Sequence, residues 1–171
     1  MPGALNLKAA VWAGIVAGVV FMMLEMALVM LVQGQSPWGP PRMMAAMVMG
    51  ESVLPPPGTF DAMIMMVAMT IHLILSIILG AILGFFISKL SLHTTAAIIS
   101  GTLFGIAVYF INFYIFTAIF PWFAMARGAV SIFAHAVFGL VLGWVYHVIA
   151  ARGINGGGRS ERGHIHADDS A

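Results

Sequence analysis

The sequence contains no cysteine and very little charge. Of its 171 residues, 8% are charged, whereas an ordinary soluble domain carries about 25%. The absence of cysteine excludes disulfides, thiolate catalysis and thiolate metal sites. The sequence also lacks a basic nucleic-acid-binding patch, a phosphate-binding glycine loop, a zinc-protease motif and a nucleophile elbow. We therefore expect neither a nucleic-acid partner nor an enzymatic activity.

Hydrophobic residues make up 61% of the chain and gather in four long segments. Each segment approaches or exceeds the roughly 20 residues that cross a bilayer as a helix. Backbone groups in lipid must be satisfied within a helix or a closed barrel, and alternating barrel strands are absent, so the sequence predicts an all-α membrane protein with the lipid bilayer as its partner. The predicted spans are residues 9–32, 63–88, 95–120 and 129–150, within a transmembrane domain of residues 1–152.

Two segments fall outside the predicted spans. The loop 33–62 begins and ends with prolines around a stretch rich in Met and Ala. Residues 42–53 are too few to span, so we expect a short helix there, lying at the membrane interface or dipping into it. Asp61 or Thr59 is expected to cap the second span. Residues 153–171 are rich in Gly, Arg and Asp without apolar periodicity, which predicts a disordered cytoplasmic tail.

Lysine and arginine are distributed unequally between the two sides of this four-span arrangement. The side that carries both termini holds Lys8, Lys89, Arg152, Arg159 and Arg162. The opposite side holds Arg42 and Arg127. Because positive residues favour the cytoplasmic side, the N- and C-termini are predicted to be cytoplasmic. The loops 33–62 and 121–128 then face outward.

The two halves of the sequence carry matching small and polar residues at equal spacing. The first and third spans share a spacing of four and then seven residues, at Gly14, Gly18 and Glu25 and at Gly101, Gly105 and Asn112. The second and fourth share a spacing of four and four, at His72, Ser76 and Gly80 and at His135, Gly139 and Gly143. The glycines and Ser76 are expected to allow close helix packing. The pattern predicts a four-helix bundle of two tandem two-helix repeats, related by a pseudo-two-fold axis along the membrane normal.

Four polar residues are predicted to form one layer inside the bundle: Glu25, His72, Asn112 and His135. Counting residues from the ends of the spans places all four about 12–16 Å below the outer boundary. Ionisable residues within a span are costly and mark a functional-site hypothesis. The layer therefore predicts a buried polar site in the outer half of the bilayer.

Several ligands of this site remain open. His72 and His135 are candidate axial ligands of a b-type haem, with Arg42 and Arg127 as partners of its propionates or of another anion. The same histidines with Glu25 are candidate ligands of a transition metal. Protons are the third ligand, bound or conducted. As an alternative, the polar layer serves only helix packing in a structural or accessory subunit of a homo-oligomer or larger membrane complex.

Three stretches of the chain resemble one group of proteins. They are Ser36-Pro-Trp-Gly-Pro-Pro-Arg-Met43, Val53-Leu-Pro-Pro-Pro57 and the His-x3-Gly-x3-Gly pattern that begins at His135. In these the chain is similar to a group of small bacterial membrane proteins with four spans, over most of residues 10–150. The resemblance implies the four-span fold and the bacterial inner membrane, and it implies no activity.

Overall fold

A computed structural model describes residues 4–54, 56 and 58–165, with the backbone alone for 153–165. The described residues form helices and turns without strands. The five α-helices are α1 (Leu7–Gln33), α2 (Gly39–Met49), α3 (Ala62–Lys89), α4 (Thr94–Phe110) and α5 (Ala129–Ile165). Four helices are long and apolar enough to cross a membrane: α1, α3, α4 with the turns that extend it to Ala118, and α5 up to Arg152. The prediction of an all-helical protein with four apolar spans is confirmed.

Side-chain caps fix the start of two spans. The Asn6 side chain accepts a hydrogen bond from the Ala9 N–H at 3.0 Å and begins α1. The Asp61 side chain accepts from the Ile64 N–H at 2.9 Å and begins α3, so Asp61 is the predicted cap. Each cap satisfies one of the N–H groups that have no partner within the helix.

The short helix of the first loop begins earlier than the sequence predicts. α2 starts at Gly39, and a 3-10 turn at Glu51–Val53 follows it. Pro40 and Pro41 lie in its first turn, where proline is tolerated because the N–H groups there have no intrahelical partner. α2 packs against α3 in a small apolar cluster. Of the prolines that close the loop, Pro55 and Pro57 lie outside the described residues.

Backbone contact joins α1 to α3 at two small residues. A Cβ atom added at Gly14 would lie 2.7 Å from the carbonyl oxygen of Ser76. One added at Gly80 would lie 2.7 Å from the carbonyl oxygen of Ala10. A Cβ at Gly18 would lie 2.7 Å from the Ser76 hydroxyl. Any larger side chain at these positions would separate the two helices.

A second backbone contact joins α4 to α5. A Cβ atom added at Gly101 would overlap the carbonyl oxygen of Gly139, and one at Gly143 would overlap that of Ala97. A Cβ at Gly105 would overlap the carbonyl oxygen of His135. When the two halves of the sequence are aligned by the repeated spacing described above, Gly101 corresponds to Gly14 and Gly139 corresponds to Ser76.

The four spans are packed unequally around the bundle. α1 lies against both α3 and α5, and α4 packs mainly on α5. α3 and α4 touch at very few positions. A two-fold axis would make the contact between α3 and α4 as extensive as that between α1 and α5, so the predicted axis is not confirmed. The bundle is instead open between α3 and α4.

The third span is not one continuous α-helix, as the prediction for 95–120 assumed. α4 ends at Phe110 and continues as a π-helical turn, Ile111–Ile115, and a 3-10 turn, Phe116–Ala118. Arg127 stabilises this irregular end. Its Nε–H donates to the carbonyl oxygen of Phe113 at 2.6 Å, and its guanidinium lies 4.5 Å from the centre of the Tyr114 ring. π-helical turns are rare and frequently mark functional positions.

The backbone of α5 continues past the predicted end of the fourth span. It is drawn as helix to Ile165, and the disorder expected for residues 153–171 stays a prediction. Residues 166–171, the rest of the predicted tail, lie outside the described residues.

Candidate functional site

Glu25 is the only acidic side chain of the first span, and α1 places it inside the bundle, 5% exposed. Its Oε1 accepts a hydrogen bond from the hydroxyl of Ser131 on α5 at 2.6 Å. Its Oε2 is buried and has no hydrogen-bond partner among the described residues. A buried carboxyl oxygen without a donor is costly. This carboxyl group is therefore only half satisfied by the protein.

His135 lies one helical turn after Ser131 on α5 and is buried. Its Nδ1 is 2.7 Å from the carbonyl oxygen of Ser131. Because a carbonyl oxygen only accepts, Nδ1 carries the hydrogen. In the neutral ring Nε2 then has a lone pair, which accepts from the amide of Asn112 at 3.2 Å. The π-helical turn at Ile111–Ile115 holds Asn112 in this position.

His72 is buried on α3 and is bonded to the backbone of α1. Its Nε2 lies 2.9 Å from the carbonyl oxygen of Gly18, and must donate to it. A Cβ atom at Gly18 would meet the Ser76 and Leu73 side chains of α3, so the glycine lets α3 lie close to α1 here. His72 therefore has one ring nitrogen committed to the protein and a second, Nδ1, that carries a lone pair in the neutral ring.

Phe21 lies between the two histidines. Its ring stacks on His72, with centroids 5.3 Å apart and planes at 23°. The same ring meets His135 edge-on at 4.7 Å and 81°. The Phe21 ring therefore contacts both imidazoles. The structure does not bring His72, His135 and Glu25 together as ligands, since the part of the chain it describes contains no group of three or more metal-binding His, Asp or Glu side chains.

The two arginines predicted to pair with an anion are bonded to the backbone. Arg42 donates from Nε to the carbonyl oxygen of Thr59 at 3.0 Å, and from Nη1 to that of Val53 at 2.9 Å. Arg127 donates to the carbonyl oxygen of Phe113. Neither arginine lines the cavity beside the four polar residues. A role for them in anion binding stays a prediction.

The four predicted polar residues all line one cavity of about 220 Å³, which we call the chamber. Its polar groups belong to Glu25, His72, Ser76, Asn112 and His135. The remaining walls are apolar and include five aromatic rings: Phe21, Phe113, Phe116, Phe123 and Phe138. None of the described residues that line the chamber is Lys or Arg. The chamber thus combines an uncompensated carboxyl group with aromatic walls.

One end of the chamber is covered by two short helices. α2 contributes Pro40, Met43, Met44 and Met47, and the 3-10 helix Pro121–Ala126 contributes Phe123 and Ala126. The two helices are joined by a hydrogen bond from the Trp122 indole N–H to the carbonyl oxygen of Met43, at 3.0 Å. Because these helices follow the C-terminal ends of α1 and α4, they separate the chamber from that side of the bundle.

The chamber reaches the outer surface of the bundle between α3 and α4. Leu75 and Ile78 of α3 line it and are 36% and 50% exposed. Ile111, across the gap, lines it and is 41% exposed. Residues that line a cavity and also lie on the surface mark its opening. In a four-span membrane protein this opening faces lipid.

Two residues of the site are absent from the sequence-based prediction. Ser131 donates the hydrogen bond to Glu25. The sequence could have indicated it, because Ser131 is a polar residue in an apolar span, four residues before His135 and so on the same helical face. Phe21 separates the histidines, and it lies four residues before Glu25 on α1. Phenylalanine in an apolar span carries no distinguishing signal, because it is as common facing lipid as facing a site.

No family model, curated protein or solved structure matches this chain. The fold places the chain in the class of all-helical proteins with four apolar helices of membrane-spanning length.

Proposed function

We propose that the chain is a non-enzymatic, multi-pass protein of a bacterial inner membrane, with both termini in the cytoplasm. Four apolar helices of spanning length and the unequal distribution of Lys and Arg support this arrangement. In this orientation α2 and the helix Pro121–Ala126 lie on the outer side. The chamber then occupies the outer half of the bilayer.

The proposed function is the reversible binding of a cation at Glu25. The observation that carries it is the Glu25 carboxyl group, buried in the chamber with Oε2 unpartnered. A carboxylate at this depth needs either a proton or a positive partner. Among the described residues of the chamber wall, no Lys or Arg provides one. The two histidines of the same wall are the protein's other basic groups, and with both imidazoles neutral the positive partner is a ligand, of which the proton is the smallest.

The arrangement of the histidines favours a proton or another cation over haem or a multidentate metal ion. His72 commits Nε2 to the Gly18 carbonyl oxygen, and the Nε2 lone pair of His135 accepts from Asn112. Phe21 lies between the rings. Haem or a shared metal bound through the two Nε2 atoms would have to replace both of these hydrogen bonds.

One specific observation favours a second candidate, a structural or accessory subunit. Three polar contacts of the site join different helices. Glu25 with Ser131 joins α1 to α5, and His72 with Gly18 joins α3 to α1. Asn112 with His135 joins the π-helical turn after α4 to α5. Such bonds contribute about 0.6–1.7 kcal/mol each between membrane helices. In this case the chamber would be a consequence of packing.

We also propose that the chain arose by duplication of a two-helix unit. The contacts that support this are those of Gly14 and Gly80 between α1 and α3, which occur at the matching positions Gly101 and Gly143 between α4 and α5. The residues whose carbonyl oxygens face these glycines also correspond. Ala10 faces Gly80, Ala97 faces Gly143, and the two alanines occupy matching positions in the two halves. Superposition of α1 with α3 on α4 with α5 tests this proposal through the register of these glycines.

Cation binding is tested by ligand-dependent stabilisation. Purified protein in nanodiscs is unfolded by heat over a range of pH and in ammonium, potassium or sodium chloride at equal ionic strength. A ligand that binds only the folded state stabilises it by about 2.7 kcal/mol at 100 times its Kd. We expect at least one of these cations, or the proton, to stabilise the wild type but not Glu25→Gln. Glu51→Gln is the matched control, because Glu51 is exposed and outside the chamber.

The two candidate functions give opposite results in this assay. If Glu25→Gln changes the melting temperature equally in every salt and at every pH, the carboxyl group serves packing alone. That outcome contradicts cation binding and supports the structural subunit.

A further inference from the structure

We propose that the cation is an organic ammonium ion with apolar substituents, which reaches Glu25 from the membrane through the opening between α3 and α4. This inference rests on the proposed function and names the class of its ligand.

The size and chemistry of the chamber indicate an organic ligand. A water molecule occupies about 30 Å³ in the liquid, so a cavity of about 220 Å³ is far larger than a proton or bare metal ion needs. A small inorganic cation would also require several oxygen ligands to replace its water. The chamber offers one carboxyl group among apolar walls. These walls suit a ligand that brings its own apolar groups.

The aromatic walls favour a positive charge on that ligand. The faces of phenylalanine rings attract an ammonium group within about 6 Å, and quaternary ammonium ligands are recognised in this way. Phe21, Phe113 and Phe138 lie on different helices around the polar residues. A carboxylate and several aromatic rings in one cavity complement an alkylated ammonium group in both charge and shape.

The route of access follows from the two sides of the chamber. On the side of α2, the Trp122 indole is bonded to the Met43 carbonyl, and both helices cover the cavity. Between α3 and α4 the lining residues Ile78 and Ile111 lie on the surface that faces lipid. A ligand that uses this opening must enter the membrane from the side, which its apolar substituents favour.

The charge of the ligand is tested with a matched pair of probes. Benzyltrimethylammonium and neopentylbenzene have nearly the same shape and differ by the positive nitrogen. Equilibrium binding to protein in nanodiscs, corrected for uptake by empty nanodiscs, should favour the cation by at least about tenfold. Glu25→Gln should remove this preference, and Glu51→Gln should keep it.

The route is tested at two neighbouring isoleucines of α3. Ile78 lines the opening, whereas Ile74 is similarly exposed, at 53%, and does not line the chamber. Ile78→Trp should slow the association of benzyltrimethylammonium at least about tenfold, and Ile74→Trp should leave it unchanged. Ile111→Trp, on the opposite side of the gap, should act like Ile78→Trp.

Each result decides a separate point. Equal binding of the two probes would overturn the proposal that the ligand is an organic ammonium ion. The proposed function would still stand if small cations stabilise the wild type in a way that depends on Glu25. Preference for the cation with equal association rates in Ile78→Trp, Ile111→Trp and Ile74→Trp would overturn the lateral route. Failure of the probes and the small cations, together with a melting temperature whose pH dependence is the same in the wild type and Glu25→Gln, would overturn the proposed function itself.

Discussion

Replacing Gly139 by alanine should separate α4 from α5. The added Cβ atom would overlap the carbonyl oxygen of Gly101, and the Gly105 nitrogen lies within 2.8 Å of the same point. Both neighbours are backbone atoms of a helix, so neither can rotate away as a side chain would. The whole of α4 must move to relieve the overlap.

The cost of this movement is large for a single methyl group. Overpacking of a well-packed interior typically costs about 1–3 kcal/mol. Because the contact is between two rigid backbones, we expect the upper end of this range, about 3 kcal/mol, for Gly139→Ala. Gly101→Ala, on the other side of the same contact, should cost a similar amount.

The assay is the free energy of unfolding in mixed micelles titrated with sodium dodecyl sulfate. Gly39→Ala is the matched control, because a Cβ atom at Gly39 meets no atom within 4 Å. It should change stability by no more than about 0.5 kcal/mol. The double variant Gly101→Ala with Gly139→Ala should cost less than the sum of the two single changes, because both widen the same contact. A cost for Gly139→Ala as small as that of the control would refute the close approach of α4 and α5.

Three further predictions concern the site, the irregular end of the third span and the orientation. In a double-mutant cycle, Ser131→Ala and Glu25→Ala should show a coupling of about 0.6–1.7 kcal/mol in unfolding free energy, because either change removes the same interhelical hydrogen bond. Arg127→Met should destabilise the protein by about 1.5–3 kcal/mol, because it removes charged hydrogen bonds to the turns that end this span. Single cysteines at Gly58 and Gly157 should react with an impermeant thiol reagent from opposite sides of the membrane, because the distribution of Lys and Arg predicts a cytoplasmic C-terminus.

Each of these predictions has its own control. Glu51→Gln should show no coupling to Ser131→Ala. An equal coupling there would show that the value measured in the first cycle does not come from the hydrogen bond between Ser131 and Glu25. Arg152 is exposed, and Arg152→Met should leave stability nearly unchanged. If Arg127→Met is equally neutral, Arg127 does not hold the end of the third span. Labelling of the cysteine at position 157 from outside intact cells would contradict the orientation.

The helices were predictable because they depend on local sequence properties. A span requires only enough consecutive apolar residues, and the predicted span 63–88 differs by one residue at each end from α3. The cap at Asp61 was predictable for the same reason, since it requires one acceptor at the start of an apolar segment. The equal spacing of glycines and polar residues also indicated which helical faces point inward.

The parts that were not predictable depend on contacts between distant segments. The π-helical turn around Asn112 forms together with Arg127, which lies beyond the end of the span. The position of Phe21 between His72 and His135 depends on how α1 sits between α3 and α5. The opening between α3 and α4 arises because the two halves pack unequally, and a repeated sequence pattern favours equal packing.

The Glu25 carboxyl group is expected to exchange its proton for the cationic ligand when the ligand binds. Infrared difference spectroscopy detects this exchange, because protonated carboxyl groups and carboxylates absorb at different frequencies. On addition of benzyltrimethylammonium to protein in nanodiscs, we expect loss of a protonated carboxyl band and gain of a carboxylate band. Both changes should be present in Glu51→Gln and absent in Glu25→Gln. A spectrum without a carboxyl change, or with the same change in Glu25→Gln as in the wild type, would show that Glu25 does not bind the cation.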